Sequence, residues 1–110
     1  MEPAANPARG EVVLRLGGRA FVLRPTFAAL AETEEMAGCP LLALARRFLD
    51  GTYGVRDVVA VLLPALRRAG GPAGIDDLPI GGGLLSLAPV CARLLTAALR
   101  PAGDLPNPLP

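Results

Sequence analysis

The chain has no histidine, no lysine and no tryptophan, and its eleven cations are all arginine. Without histidine, imidazole acid–base chemistry and the zinc sites that rely on it drop out. The arginines are scattered and opposed by ten carboxylates, for a net charge of +1. No basic block exists, so no nucleic-acid footprint is expected. Cysteine is scarce as well. Cys39 and Cys91 have no CxxC spacing and read as buried free thiols rather than a disulfide or metal pair. No apolar run approaches the ~20 residues of a membrane span. The opening MEPAANPARG lacks the basic-then-apolar layout of a secretion signal. A cytoplasmic protein that does not engage membranes is the expectation.

What the chain does have is punctuation, with 13 Gly and 12 Pro among 110 residues. One domain is the sensible count for this length. Residues 1–8, with Pro3 and Pro7, read as a disordered leader. The patterned part, 9–100, is long enough for one modest core. It opens on a hairpin, residues 11–24. Val12, Leu14 and Leu16 alternate with Val13 and Arg15, the two-residue period of a half-buried strand. Gly17-Gly18 provides the two positive-φ positions of a tight turn. A two-residue loop then sets Leu14 against Phe21 and Val12 against Leu23 on the buried face. Glu11 falls opposite Arg24 as a charge pair on the other face. Gly17, Gly18, Glu11, Arg24, Thr26 and Phe21 are therefore the fold-determining residues of this region.

An isolated hairpin is marginal in water, so helices must cover it. Pro25 ends strand pairing and Thr26 is a good N-cap for a helix over 27–37, stopped by Gly38 and Pro40. Phe27, Leu30, Ala31 and Glu34 share one face of it. A second helix, 41–49, carries Leu41, Leu44, Ala45 and Phe48 as its apolar stripe, with Arg46 and Arg47 outside. A third, 55–69, places Val55, Val58, Val59, Leu62 and Leu66 at helical spacing. Pro64 inside it should kink or shorten it. Residues 70–83 form a Gly- and Pro-rich loop, with one turn of helix expected at Ile75 to Leu78. The last helix, 84–99, is the most apolar, and 101–110 reads as a flexible tail. The fold class is α+β, a two-stranded antiparallel hairpin packed on a bundle of about four helices.

Two surfaces stand out. The apolar arc of the last helix is wider than one side of a small core needs. It is either buried as a central helix or left outside for another chain, in which case Leu85, Val90, Leu95 and Leu99 are the candidate protein-binding residues. On the first helix, Glu32, Glu34 and Glu35 lie where a negative charge opposes the helix macrodipole. A solvated face is the ordinary reading of such a run, and Glu32 and Glu35 are the candidates for an acidic contact. Catalytic chemistry is harder to find. Asp76-Asp77, Glu34-Glu35 and Gly81-Gly82-Gly83 are the clusters worth checking, and none comes with a nucleophile–base pair, metal-ligand set or P-loop Lys. Ser86 and Thr26 read as helix caps. No enzyme activity, metal or cofactor is expected.

The run NPARGEVVLRLGGRAFVLRPTFAALAETEE resembles the start of the gene transfer agent family of small tail proteins, which are phage-derived and grouped with phage tail assembly chaperones. The match includes Asn6-Pro7, Arg9-Gly10-Glu11, Gly18-Arg19, Arg24 with Thr26-Phe27, and Ala29-Leu30-Ala31-Glu32. Val55-Arg56-Asp57-Val58 looks like the family's middle helix, and Arg93-Leu94-Leu95 with Ala97-Ala98 looks like its terminal helix. Thr33, Pro64, Pro89 and the glycine-rich segment depart from the pattern. The resemblance implies a tail assembly chaperone that holds apolar helical segments of the tape-measure protein until the tube forms. The implied partners are the tape-measure protein and the tail tube protein, with a second copy of the chain as a further candidate. The alternative is a minor tail or tube component retained in the particle.

Overall fold

A computed structural model describes residues 4–71 and 83–99, with residue 84 described by its backbone alone. The fold is α+β, as expected. The chain order is a short 3-10 turn (Pro7–Arg9), strands β1 (Val12–Leu16) and β2 (Arg19–Leu23), then helices α1 (Phe27–Ala37), α2 (Leu41–Asp50), α3 (Val55–Arg68) and α4 (Leu84–Leu99). The tail 101–110, the expected turn at Ile75 to Leu78 and the Asp76-Asp77 pair lie outside the described residues.

The hairpin register follows from the alternation of its side chains. Val12 pairs with Leu23, Leu14 with Phe21 and Leu16 with Arg19. Gly17 and Gly18 hold φ of 57° and 79°, which the turn requires and side chains resist. Val12, Leu14, Leu16, Phe21 and Leu23 are all buried. Arg19 lies over the Phe21 ring, 4.8 Å from its centroid, closing the open end of that face.

The residues before the hairpin correct one expectation. The leader is not featureless up to Ala8, because Asn6 caps a turn over Pro7–Arg9 with its side chain accepting from Ala8 N at 3.0 Å. The Asn6 backbone N–H donates to Glu11 Oε1 at 2.9 Å, while Glu11 Oε2 lies 2.7 Å from Arg24 Nε. The cross-strand charge pair therefore exists, but the turn folds over it and leaves Glu11 buried.

The core is organised around α3. Ten consecutive residues, Asp57 to Leu66, are buried, so this helix is enclosed on every side. It packs against α1, α4 and β2, while α4 also packs on α2 and β1. The helical stripe expected for α3 understated this, and Val55 at its start is exposed. Pro64 does not end the helix. Its ring is fully buried, and the helix runs on to Arg68, whose Nη1 donates to the Pro64 carbonyl at 3.1 Å. At the other end, Asp57 Oδ2 accepts from the Gly54 N–H at 2.9 Å and Oδ1 from Arg47 Nη1 at 2.7 Å. One carboxylate thus satisfies a free amide of the first turn of α3 and ties α2 to it.

The face shared by Phe27, Leu30, Ala31 and Glu34 is not the packed one: Phe27 is 95% exposed, and Ala29 and Thr33 are the buried residues. Small side chains allow α1 to lie close against α3, and a phenyl ring on the packed face would hold the two apart. Thr26 is the N-cap, accepting from Ala29 N at 3.2 Å.

Cys91 lies in the core cluster beside Leu87, Leu94 and Leu95, and Cys39 is half-buried; both are free thiols. Burial pushes the Cys91 thiol up to about 12. Only a thiolate attacks alkylating reagents. Iodoacetamide at pH 8 is therefore expected to modify Cys39 in the native protein and Cys91 only after unfolding, which peptide mass mapping checks.

Candidate interaction surface

The two readings of α4 can now be separated. Leu87, Cys91, Leu94 and Leu95 face the core, while Leu85, Ser86, Pro89, Arg93 and Thr96 face out. Of the candidate contact residues, Leu85 is 78% exposed, Leu99 is at the edge of exposure and Val90 is half-buried. Leu95 is 1% exposed, which corrects its place on an outer surface. It lies one turn beyond Cys91 on the inward side, so a partner reaches it only if the core opens. Most of the excess apolar arc is absorbed because α4 is packed by α3, α2 and β1 together. Ser86 is not an N-cap either. It sits inside the first turn, and its hydroxyl donates to the Gly83 carbonyl at 2.6 Å.

Among the described residues, two carboxylates of the acidic run on α1 are engaged by other elements and the third is not. Glu32 pairs with Arg68 Nη2, and with Arg67 Nη1 at 3.5 Å, tying α1 to the end of α3. Glu34 Oε2 accepts from the Leu41 N–H at 2.9 Å. Pro40, the N-cap of α2, offers no side-chain acceptor, so Glu34 supplies the missing one. The carboxylate that burdens α1 thereby serves the N-terminus of α2. Glu35 is exposed.

These pairs make stability depend on pH. The hydrogen bond from Asn6 lowers the Glu11 pKa below the ordinary 4.5; desolvation opposes it and the Arg24 charge adds to it. Glu32 is lowered chiefly by its hydrogen bond from Arg68. A carboxylate with a depressed pKa in the fold contributes stability above its unfolded pKa and loses it as pH falls through the folded value. The melting temperature is expected to be flat above about pH 5.5 and to drop below about pH 4.5. Glu11→Gln should flatten that drop, as thermal unfolding followed from pH 3 to 7 would register.

Exposed large apolar side chains lie elsewhere. Leu42 and Leu49 project from α2 on either side of the exposed Arg46, and Leu85 and Leu99 project from α4. These residues are seven apart and fourteen apart respectively, so each pair lies along one side of its helix. The two helices pack against each other. Sequence reasoning missed Leu42 and Leu49. They flank the polar positions of the stripe, and nothing local says that α4 covers only the Leu44 side.

Among the described residues no group of three His, Cys, Asp or Glu side chains is placed to hold a metal ion. No described helix is long and apolar enough to cross a membrane.

Comparison with known proteins gives two similarities. The chain is 39% identical over 97 residues to the human (Homo sapiens) protein glutathione hydrolase 6; the match takes in 83% of this chain and 17% of that protein. The chain thus spans about a sixth of the length of the curated relative it matches. No solved structure matches it. A family model described as phage tail tube protein, GTA-gp10, matches residues 9–101, from the arginine before the hairpin to just past α4. With that match covering nearly all of the hairpin-and-helices fold, the chain belongs to the family of the phage tail tube protein GTA-gp10.

Proposed function

We propose that this protein is a non-enzymatic assembly factor of a phage or gene-transfer-agent tail. It binds apolar helical segments of the tape-measure protein in the cytoplasm before the tube polymerises around them. The observation that carries this reading is the set of leucines left outside: Leu42 and Leu49 on α2, Leu85 and Leu99 on α4. Two adjacent helices with apolar anchors at helical spacing are what a helical partner docks against. The exposed Arg46 and Arg93 provide a polar surround. Leu95 has no part in this surface, and of the acidic candidates only Glu35 is left to face a partner.

A tube component retained in the particle is the second reading, supported by the family's description. Subunit rings close through sheet edges, and the described sheet has two strands, each of them an edge strand.

Co-expression with a tape-measure protein from the same tail module distinguishes the two. The chaperone reading expects the tape measure to become soluble and to co-purify. Leu49→Asp combined with Leu85→Asp should abolish capture while leaving the fold intact, since both side chains are exposed. Absence of co-purification, with no gain in solubility, overturns it. Stoichiometric protein in purified particles favours the tube component.

A further inference from the structure

A cleft of about 500 Å³ runs beside β2, lined by Ala20, Phe21, Val22, Arg24, Ala65 and Arg68 among others. Its size falls within the ~300–1,000 Å³ of ligand-binding clefts. Successive strand residues point to opposite faces of a sheet. A cavity touched by Ala20, Phe21 and Val22 in succession therefore lies along the edge of β2 and not over either face. On the far side of β2 is β1, so this is the open edge of a two-stranded sheet.

The turn fixes which backbone groups face the cleft. In a hairpin closed by two residues, the flanking pair, here Leu16 and Arg19, exchanges hydrogen bonds, and such pairs then alternate. Arg19, Phe21 and Leu23 thus turn their N–H and C=O towards β1. Ala20, Val22 and Arg24 turn theirs outward. The Arg24 carbonyl accepts from Thr26 N at 3.0 Å. Among the described residues, the backbone of Ala20 and Val22 has no partner beyond the hairpin. Two donors and two acceptors stand in a row at the mouth of a cleft.

The charge of the lining selects the occupant. Among the described residues of the wall the charged ones are Arg24 and Arg68, with no carboxylate beside them. Arg24 pairs with Glu11 and Arg68 with Glu32, and the two arginine side chains remain 62% and 41% exposed. A second copy of this chain would bring two more guanidiniums to the same edge. A segment carrying carboxylates would meet them as charge-assisted hydrogen-bond acceptors.

We propose that the open edge of β2 takes an extended, carboxylate-bearing segment of another polypeptide as a third strand. Its backbone pairs with Ala20 and Val22, and its carboxylates meet Arg24 and Arg68. Main-chain pairing supplies affinity and the arginines supply selectivity, as in strand addition generally. The inference rests on the hairpin and the end of α3, and is independent of the leucines on α2 and α4.

The test uses the full chain and three blocked hexapeptides: alternating valine and glutamate, the same with lysine for glutamate, and the glutamate peptide N-methylated along one edge. Amide NMR reads the site. The valine–glutamate peptide is expected to shift the Ala20 and Val22 amides and slow their exchange. The lysine peptide, the N-methylated peptide and the Arg68→Gln protein should each bind roughly tenfold or more weakly. Val22→Pro removes one outward N–H while sparing the hairpin ladder, and should remove binding. Should that variant misfold, the peptide series and Arg68→Gln carry the test alone. Equal binding of the lysine peptide overturns the proposal, as does no binding at about 1 mM. Protection of Ala20 and Val22 by self-association without peptide overturns it in favour of a second copy.

Discussion

Leu62→Ala is expected to lower the unfolding free energy by about 2–5 kcal/mol, while Phe27→Ser changes it by less than about 0.5 kcal/mol. Leu62 is fully buried, at the middle of a helix enclosed on all sides and within the cluster that joins hairpin and helices. Truncation there removes apolar contacts and leaves a cavity that α1, α4 and β2 close only in part. Against the ~5–15 kcal/mol of a small domain, that is a large fraction of the whole. Phe27 is larger and more apolar, yet it is solvated and loses nothing by becoming serine. Urea denaturation checks both: the midpoint should fall steeply for Leu62→Ala with the slope unchanged, and stay in place for Phe27→Ser. Equal losses would mean that α1 lies with its other face on α3.

Gly10→Ala is expected to cost about 1–3 kcal/mol, more than the same change at Gly18. Both glycines hold positive φ, +73° and +79°, so both substitutions meet the conformational penalty. They differ in surroundings. A methyl at Gly18 meets open space, whereas one at Gly10 would lie 2.9 Å from Ala97 Cβ and 3.0 Å from Pro25 Cγ. Gly10 is where the N-terminal turn touches the last helix. A double-mutant cycle isolates that contact. Ala97→Gly alone should cost about 1 kcal/mol as a helix substitution. In the Gly10→Ala background it relieves the clash with Ala97, leaving the one with Pro25, so the pair should be less destabilised than the sum. Strict additivity would show that the turn and α4 do not touch in solution.

Much of the fold can be read locally. The hairpin follows from Val12, Leu14 and Leu16 alternating up to two glycines, because a one-residue slip turns the whole apolar row to water. The helix starts follow from Thr26 and from Pro40 after Gly38, because cap and stop residues act over a single turn. The interaction surface is less legible. Leu42, Leu49 and Leu85 look no different in sequence from Leu44, Leu87 and Leu95, which are buried.

Local chemistry alone determined the α+β class, the pairing of Leu14 with Phe21 and of Glu11 with Arg24, and the absence of imidazole chemistry. Each depends on residue type and short spacing. Tertiary structure decided that α3 and not α4 is the enclosed helix, that Phe27 faces water, and that Glu34 caps a helix other than its own. It also set Arg24, just past β2, and Arg68 of α3 beside one open strand edge. Those outcomes depend on which neighbour arrives on which side, and residues as far apart as Gly10 and Ala97 meet only once the chain has closed.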